Sequence, residues 1–138
     1  MVDVSADLVE ELLQHSGVTN LVDTRVFAGV VPRGTSLPFI WIQRRAVGDS
    51  GAMEAEDEPL SESFDVECVS ADGREAIEIS DAVRAWAKSW SESRSSSMGD
   101  HTYTWVSVQD AADDYTPRNT DAAEYLFISS LDVEVIRP

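Results

Sequence analysis

The sequence predicts an α+β fold: a mainly antiparallel sheet of four to five strands, covered on one face by a long helix, with an additional N-terminal helix. Three observations predict it. Apolar residues recur at helical spacing in two separate stretches. Between and after them lie short β-branched and aromatic runs, one of which alternates strictly between apolar and acidic residues. The elements follow one another as helix, short strand, strand, strand, helix, strand, strand.

The first helix is carried by Leu8, Val9, Leu12 and Leu13, with Ser5 as the expected N-cap, Asp7 in the first turn and Gly17 as the expected stop. Val18 to Leu21 start a second short helical turn. Residues 25–32 read as a short extended piece, and Pro32 to Ser36 as a turn. Residues 37–44 give a strand, with Pro38 at its start, where a missing N–H is tolerated, and Phe39 to Ile42 apolar on both faces. Residues 46–62 are expected to form a long acidic loop. The strand after it places Phe64, Val66 and Cys68 on one face and Asp65 and Glu67 on the other, as the antiparallel partner of 37–44. The main helix over 73–91 presents Ile79, Val83, Trp86, Ala87 and Trp90 as one stripe. Five serines between Ser91 and Gly99 predict a flexible linker over 91–100. A strand over 102–109, a second acidic loop over 110–122 and a final strand over 124–136 complete the pattern. Trp41, Trp86 and Trp90 fit core stripes. Trp105 shares a face with Tyr103 and reads as a core or subunit-contact residue.

The length of 138 residues suits one domain, 1–138, and an apolar share of 43% is enough for one core. Twenty-six acidic residues against ten basic ones give a net charge of −16, which opposes salt-driven binding to a nucleic acid backbone. Lys88 is the only lysine; the scarcity of lysine reflects either a GC-rich genome or a salt-rich cytoplasm. One cysteine excludes an internal disulfide, and no Cys/His cluster has zinc-ligand spacing. The N-terminus lacks the basic region of a signal peptide, and no apolar run reaches the ~18 residues of a membrane span. A soluble protein with no membrane association is expected.

Catalytic motifs are missing from the sequence. There is no G-x-S-x-G elbow, no phosphate-binding glycine loop and no EF-hand spacing. His15 and His101 have no ligand partner at i+3 or i+4. Cys68 lies on the apolar side of its strand beside Glu67, a setting that raises a thiol pKa, so it reads as a small buried hydrophobe. Neither an enzyme nor a cofactor is expected.

Charge distribution is the most unusual local feature. Nine carboxylates fall between Ala46 and Gly73, with no base among them. Six of these, Asp49, Glu54, Glu56, Asp57, Glu58 and Glu62, belong to the expected loop, which follows the bases Arg44 and Arg45. Asp110, Asp113, Asp114 and Asp121 mark the second. Such a surface either solubilises the chain, or meets an anion without holding it, or meets a basic partner.

The opening helix, the segment Leu21-Val22-Asp23-Thr24-Arg25-Val26-Phe27 and the segment Val31-Pro32-Arg33-Gly34-Thr35-Ser36-Leu37-Pro38-Phe39-Ile40 resemble the tail completion (tail terminator, or tail-to-head joining) proteins of long-tailed bacteriophages. The Phe64-x-Val66-x-Cys68 strand, the helix over Asp72–Trp90 and the closing strand continue the resemblance, which covers most of residues 6–136. The 46–62 loop is longer and more acidic than the family pattern, and the serine linker is atypical.

This resemblance implies a structural protein of the virion tail or neck, assembled in the host cytoplasm, with no enzymatic activity. It implies a homo-oligomer, a hexameric ring that caps the tail tube protein and joins it to the head-tail connector protein. Double-stranded DNA would pass through the lumen without specific binding. On this reading the acidic loop lines the channel or reaches a neighbouring subunit, and Arg44 and Arg45 are candidate subunit contacts. Another neck or connector component, and an acidic DNA mimic that binds a basic partner, stay open as alternatives.

Overall fold

The computed structural model describes residues 4–49, 60–92, 97–98, 101–102, 105–117 and 125–137. Helices α1 (Val4–Gln14) and α2 (Ser16–Val22) lead into strands β1 (Val26–Ala28), β2 (Phe39–Asp49) and β3 (Leu60–Ser70). Helix α3 (Gly73–Glu92) follows, then the short strands β4 (Ser97–Met98) and β5 (His101–Thr102), and the long strands β6 (Trp105–Pro117) and β7 (Tyr125–Arg137). The main sheet has the order β1-β2-β3-β7-β6; β4 and β5 form a separate two-stranded ladder. Only β1–β2 is parallel; the other three pairings of the sheet are antiparallel.

Strand period places Ile40 and Ile42 of β2, Phe64, Val66 and Cys68 of β3, Leu131, Val133 and Val135 of β7 and Val106 of β6 in one buried cluster. Helix period brings to the same cluster Leu8 and Leu12 of α1, Val18 and Val22 of α2, and Ile79, Val83, Trp86, Ala87 and Trp90 of α3. All three helices therefore lie on one face of the sheet. Each large apolar side chain taken out of water there contributes roughly 1.5–3 kcal/mol.

The start of α3 is fastened by side chains. The Asp72 carboxylate accepts the Arg74 N–H at 3.0 Å, satisfying one free donor of the first turn. Ser70 Oγ accepts the Asp72 N–H at 3.0 Å and donates to Glu75 at 2.7 Å. Further along, Ser129 Oγ donates to Ser80 Oγ at 3.1 Å, and Ser80 donates to the Ile77 carbonyl at 2.8 Å. That chain joins helix to sheet through a buried polar contact whose groups are hydrogen-bonded.

Several expectations need correction. Ser5 lies inside α1 rather than capping it. Gly17 does not stop a helix: the break falls at His15, whose backbone is extended, and Gly17 is the second residue of α2. The 46–62 loop is narrower than expected, because β2 runs to Asp49 and β3 begins at Leu60, held by the pair Asp49↔Leu60. Residues 50–59 lie outside the described part. The serine-rich linker begins later, since α3 continues to Glu92; β4 and β5 then carry Ser97–Met98 and His101–Thr102. The second acidic loop starts too early by several residues: 110–117 is the far half of β6. An edge strand tolerates such a sequence, since charge and a terminal proline suit an unpaired edge.

Candidate assembly surfaces

The sheet has a second face, and no described helix covers it. Cross-strand register lays its residues out in rows. Phe39, Val69 and Ile128 share one row; Trp41, Glu67 and Ser130 the next; Gln43, Asp65 and Asp132 the third; Ser63, Glu134 and Ser107 the fourth. The face is thus aromatic and apolar at one end and acidic at the other.

Its apolar end is built on the β1–β2 pair. Phe27 and Phe39 stack edge to face with centroids 6.3 Å apart. Trp41, expected in the core, lies here half-buried and donates its indole N–H to the Gly29 carbonyl at 2.9 Å. The reason is alternation: Ile40 and Ile42 take the helix-covered face, so their neighbours must take the other.

The acidic end is organised by a bulge. Register shifts between Arg44 and Ala46, making Arg45 the extra residue of β2. Arg45 Nη1 stands 3.2 Å from both Asp65 Oδ1 and Asp132 Oδ1. Asp65 and Asp132 face each other across β3 and β7, so the guanidinium relieves a like-charge pair. Those contacts, chiefly the hydrogen bond to Asp65, raise the pKa of Arg45 further. Glu67 has its carboxyl pushed up, first by burial beside its neighbours and then by the Asp65 charge.

Arg44 and Arg45 were paired by sequence as candidate subunit contacts; the fold sends them to different partners. Arg44 reaches Glu62 at 3.7 Å, with the arginine exposed and the glutamate buried. Glu62 is therefore no part of a solvent loop but a strand residue on the helix-covered face, where its Oε2 finds no donor among the described residues. Asp49 ends β2, while Glu54, Glu56, Asp57 and Glu58 lie outside the described residues. Sequence reasoning missed Asp132 and Glu134, because they looked like the solvated side of a final strand; only the β3–β7 register brings them beside Asp65 and Ser63.

Cys68 is fully buried, and burial pushes its thiol up to about 12, too high for a nucleophile near neutrality. Among the described residues no group of three or more His, Cys, Asp or Glu side chains is placed to hold a metal ion. No described helix is long and apolar enough to cross a membrane.

Comparison with known proteins then gives the family. The model of the family described as "Tail completion protein gp17" matches residues 6–127. The chain belongs to this tail completion family. No curated protein matches it. Among solved structures, a chain in the virion of a native gene transfer agent particle is similar with a TM-score of 0.54 and 13% identity, over 96% of this chain and 94% of that one. At that identity the likeness is one of fold. The tail completion family makes this chain a structural virion component, as the resemblance at the level of motifs implied.

Proposed function

We propose that the protein caps the tail tube as a closed ring, hexameric in its simplest form, and joins the tail to the head-proximal connector. The observation that carries this reading is the family match over residues 6–127. Charge supports it. A ring multiplies the −16 of one chain and surrounds its bore with a negative potential, so DNA phosphates slide without adhering. The segment between Asp49 and Leu60, with Glu54, Glu56, Asp57 and Glu58, is the part of the chain proposed to line that bore or to reach the next subunit. The protein acts without catalysis, and its partners are further copies of itself, the tail tube protein and the connector.

The test replaces Glu54, Glu56, Asp57 and Glu58 together by their amides. Particles assembled with this variant are expected to show tails that fail to join heads, or filled heads that do not eject. Normal yield and infectivity would remove the lumen role. Electron microscopy that places the protein away from the junction of tube and head would remove the whole reading.

A further inference from the structure

The segment between β1 and β2 is a firmly tied projection with an unusual load. The Gly29 N–H donates to the Ile42 carbonyl at 2.9 Å, and the Trp41 indole ties the Gly29 carbonyl from the other side. At the far end Arg25 Nε donates to the Pro38 carbonyl at 2.7 Å. In between, the Thr35 N–H and hydroxyl both donate to the Pro32 carbonyl, closing a turn next to Gly34, whose φ of +83° glycine adopts without strain. The tied loop holds Val30 at 79% exposure and leaves Arg33 exposed, with no carboxylate partner among the described residues. An exposed apolar residue and an exposed base thus stand close together at one sheet edge of a chain of charge −16.

The opposite edge carries the complementary chemistry at the same level. The rows that begin on β1 at Val26, Phe27 and Ala28 run through β2, β3 and β7 and end on β6 at Asp113, Ala112 and Asp110. Asp114 ends the neighbouring row. A basic, apolar-tipped edge and an acidic edge thus stand at the two ends of one set of rows, roughly 20 Å apart across five strands. The bulge between Asp110 and Ala112 interrupts the outer edge of β6, which discourages indiscriminate strand addition and leaves charge as its recognition feature.

We infer that the 29–36 loop of one copy docks through Val30 and Arg33 against the Asp110–Asp114 edge of a second copy of this chain. Because the two surfaces lie on opposite edges, the contact is head-to-tail and repeats until the circle closes. The inference rests on the ring reading above and specifies which surfaces close the ring.

The test compares four full-length chains by native mass spectrometry over a concentration series: wild type, Arg33→Glu, the pair Asp110→Lys with Asp113→Lys, and all three changes together. Each charge change alone is expected to raise the concentration needed for oligomers at least tenfold, and the combination to recover most of that loss. A wild type that forms rings beside an indifferent Arg33→Glu chain overturns the docking and leaves the ring standing. A wild type that stays monomeric, alone and with tail tubes, overturns both. Should the β6 variants fail to fold, a chain carrying Val30→Cys and Asp113→Cys decides the matter under mild oxidation. These positions are too far apart for a bridge within one chain, and the native cysteine is buried. A ladder of disulfide-linked copies supports the docking, and its absence from oligomeric protein refutes it.

Discussion

The two faces of the central sheet are made from the same strands and obey opposite rules. On the helix-covered face, Phe64, Ile40, Ile42 and Leu131 are fully buried, and their polar neighbours Ser80 and Ser129 hydrogen-bond each other. On the bare face, aromatic rings stay half-buried and carboxylates crowd together, with Arg45 bridging two of them. Stability resides in the first face. The second keeps its aromatic rings half-exposed and carries the acidic rows.

Truncation on the covered face should show the contrast most strongly. Phe64→Ala is expected to cost about 3–5 kcal/mol, because it removes a fully buried ring from a packed cluster. Trp41→Ala on the bare face should cost less than half as much, the ring being partly solvated already. Urea unfolding of both variants checks this. Equal losses would mean that the bare face is as much a core as the covered one.

Glu62 is the exception that sharpens the rule, since it places a carboxylate on the covered face. Glu62→Met is expected to stabilise the subunit by about 1–2 kcal/mol. The charge removed is the buried one with an unpartnered oxygen, while its partner Arg44 keeps its water, with 61% of its side chain exposed. A loss of stability in urea unfolding would show that the 3.7 Å contact outweighs the burial of the carboxylate.

These contrasts were unevenly legible in the sequence. The stripe from Ile79 to Trp90 and the alternation from Phe64 to Cys68 declared their faces, because burial on one side only leaves a periodic trace. Phe39 to Ile42 left none: four apolar residues in a row do not say which two meet the helices, so Trp41 was assigned to the wrong face. The far half of β6 was hidden by its aspartates and Pro117, which read as a loop until the β7 register pairs them. Arg44 and Arg45 stood out as a pair, yet their separate partners depend on a one-residue bulge, and a bulge has no compositional signature. Asp132 could not be linked with Asp65 from sequence, since register between strands distant in the chain is set by tertiary packing.

Arg45 offers a smaller test of the bare face. Arg45→Ala leaves Asp65 and Asp132 opposed without a counter-charge and is expected to lower stability slightly, by less than either truncation above. Because the site is open to solvent, high salt should shrink that loss markedly. Urea unfolding at low and high ionic strength measures both. A loss that ignores salt would point to lost packing of the arginine stem instead.

Glu67 gives the smallest effect and the clearest sign. Its pKa is raised in the folded state, by burial first and by Asp65 second, above the roughly 4.3 of an unfolded chain. A protonated Glu67 therefore suits the fold, and its contribution is fully present only below the unfolded value. As pH rises through the folded value, the unfolded chain gives up this proton more readily, and stability falls. Glu67→Gln mimics the protonated form and should raise Tm at pH 7 by about 1–2 °C, a small shift because the half-exposed group is screened by water. The gain over wild type should disappear below about pH 4, where both chains carry a neutral side chain at this position. Melting curves at the two pH values decide it. A difference that persists in acid would assign the effect to amide hydrogen bonding, whereas one confined to neutral pH would show that this face carries a charge its own subunit would be more stable without.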